Sequence, residues 1–276
     1  MNNYRLISSV VFCVVFAGCK PAQVQTEAPP PTPAVAAAPA APEVSCQLKV
    51  GYESWEPYQF RGYDEQANGL DIDIVNAVAK GMSCELIFSH GNWQQLLAQF
   101  RQGELDVLLG ASKTPAREEF ALFSEPYRNE QFQLFVRKTD ADKFGFESVA
   151  QMVAAKHKVG VVSDYYYGDQ VSALYADEQM RGQFVESAMS EQNLALLLDG
   201  QVDGMLEDNF VGRALLRRKG LSDEVSAHQV KLPESPIYVM FSKQKVSAEQ
   251  VGAFNQQLMQ LKQSGQYQQL VGKYQG

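Results

Sequence analysis

The chain has 276 residues, 45% of them apolar and 20% charged, ordinary for a globular protein of one or two domains. Its formal charge of −8 leaves no basic excess to neutralise a phosphate backbone, which argues against a nucleic-acid binder.

The first residues read as a targeting segment. "MNNYR" is a weakly positive start, and "LISSVVFCVVFA" is an apolar run of 12 residues. That is too short to cross a bilayer as a helix and right for the core of a signal peptide. It ends in Phe16, Ala17, Gly18 and Cys19, which resembles the lipobox of bacterial lipoproteins, although leucine is commoner where Phe16 stands. The resemblance implies a signal peptide over 1–18 and an acylated Cys19 that anchors the chain to a membrane, on its periplasmic or extracytoplasmic face. A plain signal peptide cleaved nearby is the competing reading. Residues 20–45 hold seven of the chain's 12 prolines among Ala, Val, Thr and Gln. Such a segment cannot bury enough apolar surface to fold, and its prolines keep it extended. It reads as a tether, reaching up to roughly 80 Å at about 3.1 Å per residue.

Four cysteines are present. With Cys13 in the signal and Cys19 lipidated, Cys46 and Cys84 remain, each just before a predicted strand ("QLKVGYE" and "ELIFSH"). Parallel neighbours would bring them within disulfide reach, and an exported protein meets an oxidising compartment. A Cys46–Cys84 disulfide is therefore expected; two buried thiols are the alternative.

From Cys46 onward, strands alternate with helices. "LKVGYE", "CELIFSHG" and "LDVLLGA" read as strands, with helices over "GLDIDIVNAVAKG", capped by Asp71, and "NWQQLLAQFRQG". "FQLFVRK" is a strand that leads elsewhere. A second series follows: strands "HKVGVV", "QFVESA" and "VDGMLE" alternating with helices "YYYGDQVSALYAD", "SEQNLALLLDG" and "NFVGRALLRRKG". "IYVMFSK" and the helix "SAEQVGAFNQQLMQLKQSG" close the chain. The pattern predicts an α/β fold of two lobes, each a mostly parallel sheet flanked by helices. Lobe 1 takes 46–129 and 234–276 and lobe 2 takes 130–233, with hinges near Asn129 and Pro233. Ligands bind beyond the carboxyl ends of parallel strands, so a cleft between two such ends is the expected site.

"DVLLGASKTPAREEF" lies at one such end. Its Arg117 can grip a carboxylate through two parallel hydrogen bonds, with Ser112 and Thr114 adding donors. A surface arginine on a helix capped by Thr114 is the competing reading. The carbonyl of Gly110 is a possible amine acceptor. Asp208 in "MLEDN" suits either an ammonium group or a helix N-cap. Trp55 suits either a ligand's carbon skeleton or the core.

The order and spacing of "GYESWEPYQF", "GLDIDIVNAVAKGM", "QGELDVLLGASKTPAREEFALFSEPY", "VGVVSDYYYG", "GQVDGMLEDN" and "GQYQQLVGKY" resemble the family 3 bacterial extracellular solute-binding proteins, the amino-acid-binding type. The resemblance covers nearly all of 46–276. It implies that Arg117 holds a ligand α-carboxylate with help from Ser112, and that Gly110 and Asp208 accept the amine. Trp55 would cover the ligand, and an ABC permease would be the partner of a monomeric receptor closing around its two hinges.

One departure stands out. Where the family has a small Gly-Ser/Thr-Thr turn after "VGV", this chain has Asp164, Tyr165, Tyr166 and Tyr167. Tyr165 and Tyr166 are expected at the ligand, with packing at the helix start as the alternative. Glu53, Asp164 and Asp208 together hint at a cationic ligand group. A sensor or scavenger lipoprotein without a transporter is the first rival function, and a dehydratase-type enzyme the second. Against an enzyme, His90, His157 and His228 stand singly and Ser242-x-x-Lys245 lies beside a lysine-rich strand end. No cofactor, metal or catalytic residue is expected.

Overall fold

The computed structural model describes residues 46–274; the signal segment, Cys19 and the tether lie outside the described residues. The chain opens with β1 (Cys46–Tyr52), a small hairpin of β2 (Phe60–Arg61) and β3 (Ala67–Asn68), α1 (Leu70–Gly81), β4 (Cys84–His90), α2 (Trp93–Arg101) and β5 (Val107–Ala111). Then come α3 (Pro115–Glu118), β6 (Ala121–Phe123) and β7 (Arg128–Glu130). β8 (Phe132–Arg137) starts a second set with α4 (Lys138–Ala141), α5 (Val149–Ala154), β9 (Val159–Val162), α6 (Asp169–Ala176) and α7 (Glu178–Arg181). It continues through β10 (Phe184–Ser187), α8 (Ser190–Leu198), β11 (Gly204–Asp208), α9 (Asn209–Lys219) and β12 (Val225–Lys231). Finally β13 (Ser235–Ser242), α10 (Ala248–Gln263) and α11 (Gln266–Gly272) return to the first set.

Two sheets result. The first has the order β4-β1-β5-β13-β6 and the second β10-β9-β11-β8-β12. In each, three parallel strands end against antiparallel ones. The strand–helix–strand rhythm dictates the parallel part, because parallel neighbours need a crossover. The antiparallel part comes from the two passages between sheets, at Gln131 and at 232–234. There the Gln131 side chain donates to the Leu232 carbonyl at 3.2 Å, and the Leu232 amide donates to the Phe132 carbonyl at 2.8 Å.

Helices bury one apolar stripe each. Leu96, Leu97 and Phe100 of α2 pack with Leu105, Leu108 and Met240 under the first sheet. In the second lobe, Leu194, Leu197, Leu215 and Leu216 pack with Phe135 and Met205. Gly212 lets α9 approach closely, since a Cβ there would lie 2.3 Å from the Phe135 ring. α1 departs from the sequence reading. It begins at Leu70, and Asp71 sits inside the first turn without capping it. Its carboxylate instead takes two bonds from Arg128, at 2.7 and 3.0 Å, in a fully buried pair.

Cys46 and Cys84 lie opposite each other in the β1–β4 register, with Cα atoms 4.6 Å apart, and form the expected disulfide. The bond closes a loop with a sequence separation of 38. Loops of that size stabilise by about 2–4 kcal/mol, mainly by restricting the unfolded chain. Reduction is therefore expected to lower the melting temperature by roughly 4–16 °C. Thermal melts with and without reductant check this; unchanged melts would reject it.

Candidate ligand cleft

β5 brings its carboxyl end to the cleft through Gly110, whose φ of +69° lies in the left-handed region. A Cβ there would meet Gln59 Nε2, the end of a flexible side chain, at 2.8 Å, so it is the left-handed backbone that calls for glycine. The chain then turns into α3, where the Thr114 hydroxyl accepts from the Arg117 amide at 3.3 Å. The cap is the one read from the sequence, but the arginine is not on the surface: Arg117 is only 8% exposed. Its Nη1 donates to the Ser112 carbonyl at 2.9 Å, and its guanidinium lies 4.9 Å from the Trp93 ring. Burial lowers its pKa to about 10, partly opposed by Glu130. At neutral pH it is a cation held in a dry place.

Trp93 is the first residue of α2, fixed by a capping box between Asn92 and Gln95. From the other lobe, the turn after β9 reaches across. The Asp164 carbonyl accepts from Arg117 Nη2 at 2.8 Å and from Trp93 Nε1 at 3.1 Å. The Tyr165 hydroxyl donates to Glu53 at 2.6 Å. Its ring stands edge-on to Trp55 at 6.2 Å and to Trp93 at 6.3 Å. Trp55 Nε1 in turn crosses to Glu207 of β11 at 2.9 Å. These bonds hold the cleft shut.

Three acids gather here. Burial pushes the carboxyl groups of Glu53 and Glu130 up to about 8 each and that of Glu207 up to about 7. Hydrogen bonds to the charged form oppose burial at each: Tyr165 on Glu53, Ser112 on Glu130, and Ser190 and Trp55 on Glu207.

One small cavity is lined by Glu53, Trp55, Gly110, Ser112, Arg117, Tyr165 and Tyr166, all of them expected at the site from the sequence. Trp93, Glu130 and Phe132 line it too and were not anticipated. Asp208 does not join them. Its Oδ1 accepts the amides of Phe210 and Val211, capping α9, and its Oδ2 accepts the Gln131 amide. Tyr166 only edges the cavity, with its hydroxyl on Asp169. Tyr167 is buried behind the turn, its hydroxyl accepting the Val162 amide at 2.7 Å. Signals for the unanticipated residues existed. Glu130 and Glu207 are carboxylates embedded in strands, where a buried acid is unusual.

Comparison with known proteins places the chain among solute-binding proteins. The chain is 25% identical over 232 residues to an arginine-binding periplasmic protein of Mannheimia haemolytica, covering 81% of this chain and 88% of that one. It is 24% identical over 248 residues to a probable histidine-binding protein of Neisseria gonorrhoeae, covering 87% and 86%. A histidine kinase sensor domain with similarity to periplasmic binding proteins superposes with a TM-score of 0.72 at 21% identity, covering 83% of this chain and 96% of that one. Residues 48–276 match the model of the bacterial extracellular solute-binding proteins, family 3, and the chain belongs to that family.

Proposed function

We propose that the chain is a membrane-tethered receptor that closes on a small zwitterion, most simply an amino acid with a cationic or imidazole side chain, and delivers it to an ABC importer. The observation that carries this reading is Arg117, a buried cation in a cleft whose lining also includes two acids and two indoles. A guanidinium in a dry site is the fitting partner for an α-carboxylate. We assign the Gly110 carbonyl and Glu130, both from residues that line the cavity, as acceptors of an amine. Glu53, which lines the cavity together with Trp55 and Trp93, is the acceptor we assign to a donor-bearing side chain. The arginine- and histidine-binding relatives support that ligand class. Domain closure of this kind is a common means of signalling occupancy to a partner. No helix among the described residues is long and apolar enough to cross a membrane, so we assign translocation to other chains.

The test is a thermal-shift and calorimetry panel of amino acids, polyamines and small carboxylates. A ligand at 1,000 times its dissociation constant adds about 4 kcal/mol, or roughly 8–16 °C for a chain of this size. Arg117→Ala is expected to weaken binding by about 2–5 kcal/mol, roughly 30-fold to several thousand-fold. Unchanged affinity in that variant would sink the carboxylate assignment. A receptor role without a transporter is the second reading, favoured by the long tether and by Lys20 after Cys19. A permease gene beside this one would argue against it.

A further inference from the structure

We propose that the Asp164–Tyr165 turn is an internal occupant of the cleft, imitating a ligand, and that a true ligand must displace it. This deepens the receptor reading and rests on it for the ligand's identity.

The imitation is made group by group. A ligand carboxylate would offer Arg117 an oxygen acceptor, and the Asp164 carbonyl already does so, taking Arg117 Nη2 at 2.8 Å and Trp93 Nε1 at 3.1 Å. A ligand side chain would lie by the indoles and donate to Glu53. The Tyr165 ring stands against both indoles, and its hydroxyl donates to Glu53 at 2.6 Å. What remains is a cavity of about 20 Å3. A single water needs about 10–15 Å3 on the same measure, so no amino acid fits beside this ring.

The turn's backbone explains how it does this. Asp164 has a φ of +63°, in the left-handed region that few residues other than glycine adopt. The Tyr165 amide points back to the Val162 carbonyl at 3.3 Å, and the Ser163 amide is bonded to the Ser187 carbonyl at 2.9 Å. So this turn aims a carbonyl at Arg117, and the adjoining N–H faces away. Rotating the 164–165 peptide, through ψ of Asp164 and φ of Tyr165, would exchange these groups and present a donor to an anion. Tyr167 holds the base of the turn through its bond to the Val162 amide and its ring, 4.6 Å from that of Phe132. Displacement is thereby confined to the 164–165 peptide and the Tyr165 side chain. A ligand that must first expel this turn binds with an apparent affinity reduced by the fraction of molecules in which it is already out.

The chain's two tryptophans are Trp55 and Trp93, both lining this cavity, so their fluorescence reads the cleft directly in the full-length chain. The experiment measures acrylamide quenching, and affinity for L-arginine and L-histidine, in wild type, Tyr165→Phe and Tyr165→Ala. With no amino acid added, wild-type tryptophans should be sheltered and those of Tyr165→Ala several-fold more accessible. Tyr165→Ala should bind at least tenfold tighter than wild type, with Tyr165→Phe, which loses only the bond to Glu53, in between. Equal quenching of wild type and Tyr165→Ala, or weaker binding in both variants, would overturn the proposal and make Tyr165 an ordinary lining residue. If neither amino acid binds any form, the ligand class proposed above fails. The quenching comparison still decides whether the turn occupies the cleft.

Discussion

Asp71→Ala is expected to destabilise the protein by about 3–5 kcal/mol, the largest effect we foresee for any single substitution. The carboxylate and the Arg128 guanidinium meet through two bonds with both side chains almost fully buried. Burial alone would pull the Arg128 pKa down, but Asp71 beside it holds it well above its ordinary value. Deleting the acid leaves that buried cation without its counter-charge among the rings of Tyr58, at 3.8 Å, Trp55 and Tyr127. For a chain of this size the loss corresponds to roughly 6–20 °C in melting temperature. The double variant Asp71→Leu/Arg128→Met removes both charges and should recover most of it, because a buried pair replaced by apolar groups is often neutral. Urea unfolding of the three proteins measures this. A single variant within 1 kcal/mol of wild type, or a double variant no better than the single, would refute it. Since Arg128 begins β7, just before the first passage between the sheets, Asp71→Ala should also loosen the cleft.

How far the sequence foretold this molecule depends on the kind of signal. Alternating strands and helices revealed the parallel part of each sheet, because crossover connections leave a strong period. Cys46 and Cys84 were legible because both open strands that the alternation made neighbours. β12 was not: "VSAHQVK" is a polar strand with a bulge in its pairing to β8. Asp71 was misread because an acid at a helix start has a common local explanation, and its partner lies 57 residues away. The same limit applied in the cleft. Gly110, Ser112 and Arg117 sit in one local motif and were found together. Trp93 looked like an ordinary amphipathic helix residue, while Glu130 and Glu207 gain meaning only when the lobes meet. For Tyr165 the sequence showed bulk where small residues were expected. Which way the Asp164 carbonyl and the Tyr165 N–H face is set by the backbone of the turn, which no residue pattern announces.

The buried acids predict an unusual pH profile. Glu130 and Glu207 are 4% and 1% exposed, and with Glu53 they are pushed by burial from an ordinary 4.5 up to about 8, 7 and 8 respectively. Unfolding returns each to its ordinary value. Between about pH 4.5 and pH 7–8 the folded chain therefore holds protons that the unfolded chain has released, so stability falls as pH rises through this window. The contribution is fully present below pH 4.5 and lost above pH 8. One pKa unit is about 1.4 kcal/mol, so each group alone is worth several kcal/mol. Most of the effect should come from Glu130 and Glu207, which have the least access to water. Glutamine keeps their shape and hydrogen-bonding oxygen but cannot ionise. Glu130→Gln and Glu207→Gln should match wild type near pH 5 and be more stable than it near pH 8, each flattening the profile. Urea midpoints from pH 5 to 8.5 test this. Wild-type stability that rises or stays level across the range would mean these carboxylates are ionised inside the fold. The cleft would then carry its negative charge before any ligand arrives, whereas the raised pKa values leave Glu53 and Glu130 mostly protonated and Glu207 partly ionised near pH 7, so that a cationic ligand group would draw protons off these acids as it binds.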